Sequence, residues 1–197
     1  MLIEKNSAIV LKTYLPQKYK LCVLDNALGK VMGVPNREDV GAGAFIEYHA
    51  REQQNLYFMH GIEIIDLPML LAKEDLLFVH HVLELCYFFV PVGSRIPRLF
   101  TLLTALYTSG ALLQAIMTKK IFLFQLFACL GLYPEGVQFK TPYFHQLTIA
   151  SIDNIAVQQI DLVIEQELDD WLLNCIALHP CTHNFKTVHF LQKNRII

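Results

Sequence analysis

The sequence predicts an α+β protein, with a small β-barrel over residues 1–70 and an α-helical domain over residues 71–197. Three observations predict it. Up to Pro68 the chain is a succession of short runs rich in β-branched and aromatic residues, punctuated by turn residues. Beyond Pro68 the apolar residues recur at helical spacing. Residues 118–134, TKKIFLFQLFACLGLYP, are apolar on every side of a helical wheel after the two lysines, which predicts a helix buried all round.

The strands follow in order. Residues 7–15 (SAIVLKTYL) run extended to Pro16; residues 20–25 (KLCVLD) and 30–34 form a hairpin about a turn at 26–29. Residues 44–52 (AFIEYHARE) alternate inside and outside, residues 53–55 turn, and residues 56–65 (LYFMHGIEII) return, with Gly61 as a bulge or bend. Five short antiparallel strands have the size and number of an oligonucleotide-binding (OB) barrel, and an SH3-like barrel would share them.

A helix is expected over 73–89, with Leu76, Leu77, Val79, Leu83, Cys86 and Tyr87 at helical spacing, stopping before Pro91. Pro97 opens a second helix to about residue 109. In the central helix Thr118 is the expected N-cap and Gly131 the left-handed stop, and Pro134 cannot continue it. That helix spans only ~20 Å, a bundle helix and not a membrane span. Lys119 and Lys120 in its first turn sit at the positive pole of the helix dipole, which calls for an anion beside them. Residues 135–151 read as irregular. A long helix is expected from a cap at Asp153 to about residue 178, burying Ile160, Ile164, Leu168, Trp171 and Cys175, and a last one from about residue 184.

Sixteen basic and 18 acidic residues give a formal charge of -2, so bulk electrostatics argue for neither nucleic acid nor an acidic membrane. Five cysteines, odd in number and without C-x-x-C spacing, suit a reducing compartment and predict a cytoplasmic protein with no signal peptide. Enzymatic signatures are missing: Gly41-x-Gly43 lacks the third glycine of a dinucleotide loop, and there is no G-K-[ST], H-E-x-x-H or G-x-S-x-G. The cluster His179-Pro180-Cys181-Thr182-His183 matches no common zinc spacing, so no metal or other cofactor is expected.

Five phrases carry a family resemblance: residues 7–13 (SAIVLKT), 83–93 (LELCYFFVPVG), 98–106 (RLFTLLTAL), 122–134 (FLFQLFACLGLYP) and 185–191 (FKTVHFL). In this order, behind a five-stranded module, they resemble successive motifs of the bacterial DNA repair protein RecO over nearly the whole chain. The resemblance implies an OB domain before a helical domain and no enzymatic activity. It further implies binding and annealing of DNA, and engagement of RecR and of the acidic, phenylalanine-ended tail of single-stranded DNA-binding protein (SSB). Two departures matter. The four-cysteine zinc site of many members is missing, since residues 135–151 contain no cysteine. Residues 34–40 read VPNREDV where the family tends to be basic, and residues 1–72 hold seven basic against eight acidic side chains.

The expected DNA contacts on the barrel are Lys12, Lys18, Lys20, Lys30, Arg37 and Arg51, with Tyr14 and Tyr19 for stacking. For the SSB tail the expected site joins Lys119 and Lys120 to Arg98, Leu102, Leu123 and Phe124 as a cationic, apolar pocket. The alternative expectation is a protein-interaction module that keeps the fold and has lost DNA annealing.

Overall fold

The computed structural model describes residues 5–14, 19–37, 39–54, 56–108, 113, 115–133 and 162–185. Strands β1 (Asn6–Tyr14), β2 (Lys20–Asp25), β3 (Gly29–Pro35), β4 (Phe45–Gln53) and β5 (Leu56–Asp66) close into a barrel in the order β1-β2-β3-β5-β4. Four pairs of neighbours are antiparallel and β3 runs parallel to β5, so this OB-type barrel is mixed, not wholly antiparallel. The apolar runs AIVL and LCVL show why the strands form here: they are buried on both faces. Ala8, Val10, Leu21, Val23 and Val31 fill the barrel with Ile46, Tyr48 and Met59. Their neighbours Ile9, Leu11, Cys22 and Leu24 face outward into a second core shared with the helices.

Local chemistry sets the joints. Asp25 is buried and accepts the Tyr48 hydroxyl at 2.7 Å, the Asn6 amide at 3.2 Å and the backbone N–H groups of Ala27 and Leu28, which fixes the β2–β3 turn. Gly61 adopts φ +60° where the β4–β5 register shifts between Glu47 and His49, as expected of a bulge. A second register shift lies in β1 between Val10 and Lys12.

Among the described residues four α-helices follow: α1 (Met69–Phe89), α2 (Pro97–Thr108), α3 (Ile116–Cys129) and α4 (Leu162–Ala177), then a 3-10 turn, Thr182–Asn184. Helix α1 begins earlier than its periodicity suggested and is interrupted at Asp75, whose Oδ1 accepts the Phe78 N–H at 3.0 Å and so caps the second part. Helix α3 is the central one, buried from Thr118 to Ala128. It starts two residues before the expected cap, so Thr118 lies within the helix and Ala115 holds the N-cap position. Gly131 ends it at φ +80°, with Leu132 N–H bonded to the Phe127 carbonyl at 3.0 Å. Aromatic contacts tie α3 to its neighbours, Phe78 to Phe122 at 5.8 Å and Phe124 to Trp171 at 5.1 Å between ring centroids. The expected irregular segment, the start of the 153–178 helix and the helix beyond residue 185 lie outside the described residues. Among the described residues no helix is long and apolar enough to cross a membrane.

Burial in α1 pushes the His81 imidazole down from its ordinary 6.5 to about 4, so it is neutral in the folded protein at pH 7. The unfolded chain binds the extra proton first; this contribution is complete above pH 6.5 and is lost as pH falls from 6.5 toward 4. At the limit it amounts to roughly 3 kcal/mol. Urea midpoints should therefore fall from pH 6.5 to pH 5, and a His81→Leu variant should show a shallower fall over that window. Equal slopes in the two proteins would exclude His81 as the source.

Candidate nucleic-acid and partner interface

The barrel meets the helices along a seam between β1 and α1. A groove of about 690 Å³ opens there, walled by Leu11 and Thr13 on the strand and by Leu76, Leu77, Leu83 and Phe88 on the helix, with Lys12, His80, Glu84 and Tyr87 also lining it. The Tyr14 and Tyr87 hydroxyls share a hydrogen bond of 2.6 Å, joining barrel to helix. Desolvation, then this bond, raises the Tyr14 pKa, so the phenol stays neutral. The Lys12 ammonium lies 4.3 Å from the Tyr87 ring centroid and 5.3 Å from that of Tyr14, a cation–π arrangement at an exposed position. Tyr14 pairs across the ladder with Lys20, which places both on one face.

Lys30 departs from the expected role. It is 7% exposed, and its ammonium donates to the backbone carbonyls of Tyr87 and Val90 at the C-terminal end of α1, where a cation meets the negative pole of the helix. It is a staple between barrel and helix, not a surface cation for phosphate. Burial lowers the Lys30 pKa, and burial pushes the neighbouring Cys22 thiol up to about 11, which keeps that thiol protonated at neutral pH. The joint continues through backbone bonds from Gly93 to Lys30 at 2.8 Å and from Lys30 to Ser94 at 3.3 Å, and through Arg95 Nε donating to the Asn26 carbonyl at 2.9 Å.

The other expected DNA contacts divide. Arg37 forms a two-pronged pair with Asp39 and also donates to the Ile62 carbonyl at 3.2 Å, so much of its charge is answered inside the chain. Tyr19 is engaged with Val40, its hydroxyl donating to the carbonyl at 2.8 Å and accepting the N–H at 3.0 Å, and it packs against the barrel core. Arg51 is exposed on β4, opposite Phe58. Lys18 lies outside the described residues.

The lysine pair on α3 is placed differently from the expected peptide pocket. Lys119 is 7% exposed and paired with Asp75; Lys120 is 2% exposed and donates to Glu165 at 2.6 Å and to Asp169 at 2.8 Å. The anion demanded by the helix pole thus comes from α1 and α4 of the same chain. Leu123 and Phe124 are fully buried, which leaves only Arg98, exposed, and Leu102, half-buried, at the surface among those six residues. With Lys120 locked in this way, its removal disturbs the core, and it is not the surface cation that the expected pocket requires. A separate hollow of about 780 Å³ lies between the ends of α3 and α4, among Leu130, Tyr133, Trp171, Cys175 and Leu178.

Periodicity had no means of finding Tyr87 or Asp75 as functional partners, since both read as ordinary positions of α1. The one usable signal for Asp75 was an aspartate three residues before a buried phenylalanine, an N-cap spacing inside an apolar run. Around His179 the imidazole packs on Phe89 at 4.3 Å between centroids, and its Nδ1 accepts the Cys181 N–H at 3.1 Å. Among the described residues no group of three or more His, Cys, Asp or Glu side chains is placed to hold a metal ion. No protein-family model matches this chain, and no curated protein matches it.

Proposed function

We propose that this chain is a non-enzymatic, RecO-like mediator of DNA repair and recombination. It works in the cytoplasm, binds the SSB tail and RecR, and touches single-stranded DNA weakly through the barrel side of the molecule. The observation that carries the reading is the strand order of the barrel, β1-β2-β3-β5-β4 closed on itself, followed directly by a helical body. This is the arrangement the resemblance implies, and OB barrels serve as binding platforms for single strands. All five cysteines are free, in keeping with a reducing compartment.

The engagement of Lys30 and Arg37 within the chain favours a second reading, an interaction module that keeps the fold and has lost annealing. Among the described residues few barrel cations remain to displace counterions from DNA, and affinity for phosphate follows that number. Fluorescence anisotropy of a labelled oligothymidine titrated with salt separates the two. The mediator gives measurable binding at about 50 mM salt with a negative slope of log affinity against log salt. Undetectable binding at that salt, in a protein that still captures the SSB tail, establishes the interaction module instead.

A further inference from the structure

We infer that the groove between β1 and α1 takes an extended peptide segment of a partner protein, added as a strand to a free edge of β1. The segment carries an acidic residue at the Lys12 end and apolar residues along α1. This goes beyond the mediator reading and holds equally for an interaction module. The edge comes first. Strand β4 accompanies β1 only from Asn6 to Ile9. Val10 makes the last bonds on that side, its N–H donating to the Ala44 carbonyl at 2.9 Å and its carbonyl accepting the Gly43 N–H at 2.7 Å. β1 runs on to Tyr14 paired with β2, so among the described residues its last stretch has no strand along the other edge. Val10 turns its backbone groups away from β2, and the extra residue Leu11 shifts the alternation by one. Thr13 therefore presents its N–H and carbonyl to the open side, where water or an added strand satisfies them.

The groove lies along that edge. Lys12 and Thr13 both line it, and since consecutive strand residues point to opposite faces, only a hollow running beside the edge meets both. Its far wall is α1, where Leu76 is 55% exposed and Leu77 37%, with Leu83 deeper. From Leu76 to Phe88 the helix advances about 18 Å, the length of about five extended residues. Main-chain bonds to Thr13 hold such a segment whatever its sequence, and the leucine wall selects apolar side chains at alternate positions. Charge sets its direction. The exposed Lys12 ammonium lies 4.3 Å from the Tyr87 ring centroid, and among the described residues no carboxylate pairs with it. A carboxylate of the peptide reaches it from the side away from the ring. Glu84, one turn before Tyr87, also lines the groove and opposes a run of negative charges, so a single acid followed by apolar residues fits better than a polyanion.

The test uses the full-length protein and a fluorescein-labelled heptapeptide, one glutamate followed by alternating valine and threonine, with binding read by anisotropy. Of two versions N-methylated on alternate amides, the one blocked toward β1 should bind about tenfold more weakly than the one blocked toward solvent. Leu76→Glu should weaken the parent peptide about tenfold or more by removing apolar wall. Thr13→Pro, which removes the N–H on the open side and spares the β2 ladder, should weaken it about tenfold. Lys12→Ala should cost about threefold at low salt, a difference that high salt erases. Glu167→Gln, on the exposed face of α4, should match wild type. Circular dichroism checks each fold, and Leu76→Glu, at an exposed position, decides the matter if Thr13→Pro does not fold. Equal affinity of the two methylated peptides, or unchanged affinity in Leu76→Glu, overturns the strand site. No binding by the wild type at millimolar peptide overturns it too, and leaves the mediator reading standing. An oligothymidine or SSB-tail peptide that loses affinity in Leu76→Glu, with the heptapeptide unbound, assigns the groove to that ligand and overturns the inference.

Discussion

Replacing Lys120 by methionine is expected to lower the free energy of unfolding by roughly 3 to 5 kcal/mol, the usual cost of leaving buried charges without their counter-charge. Lys120 is fully enclosed, and its two carboxylate partners are mostly covered, with side chains 21% exposed for Glu165 and 10% for Asp169. Taking away the ammonium leaves two negative groups facing each other against α3. The cost arises from carboxylates deprived of this ammonium more than from the lost pairs, so a triple variant with Lys120→Met, Glu165→Gln and Asp169→Asn should regain much of the stability. Urea denaturation followed by circular dichroism measures both. A single variant as stable as wild type would show that the carboxylates reach water, and would refute the account of a closed cluster.

The second large effect is expected at Gly29, where β3 leaves the turn against the segment following α1. Its φ is +77°, and an added Cβ would stand 2.3 Å from the Ser94 carbonyl oxygen and 2.8 Å from the Arg95 nitrogen. Both obstacles are backbone, so no side chain can swing away. Positive φ costs an alanine about 1 to 2 kcal/mol, and forced displacement of packed atoms adds about 1 to 3. Gly29→Ala should thus destabilise by roughly 2 to 5 kcal/mol. It should also loosen the Lys30 staple, since the backbone bonds of Lys30 to Gly93 and Ser94 lie at the same contact. Gly41, by contrast, has open space where a Cβ would point, and Gly41→Ala serves as the control. Thermal unfolding of the two variants side by side decides the matter, and equal melting temperatures would count against a close backbone approach at Gly29.

What was legible in the sequence was local. The five strands, the bulge at Gly61, the stop at Gly131 and the all-round burial of α3 each follow from residues within a few positions of one another. The parallel pairing of β3 with β5 was not legible, because strand adjacency depends on how the sheet closes and not on any one strand's pattern. The lysines show the same limit from the side of function. Their position at a helix pole announced that an anion was needed, yet the carboxylates that answer it lie 44, 45 and 49 positions away. Lys30 gave no signal at all, since its partners are backbone carbonyls 57 and 60 positions along the chain, a type of acceptor every residue carries. A lysine in an otherwise exposed-looking alternation thus reads as a solvent-facing charge until its neighbour in space is known.

The apolar outer face of the barrel has a consequence for the newly made chain. Ile9, Leu11, Cys22 and Leu24 belong to the same core as Phe78, Val82, Leu85 and Cys86, so the strands are complete before the residues that cover them have been synthesised. A chain growing from its N-terminus carries this patch uncovered until α1 has left the ribosome. Nascent barrels are then sticky toward one another and are natural clients for a chaperone at that stage. Slow translation over residues 69–89 would lengthen the exposure, whereas rapid passage through them lets α1 fold back before two chains meet.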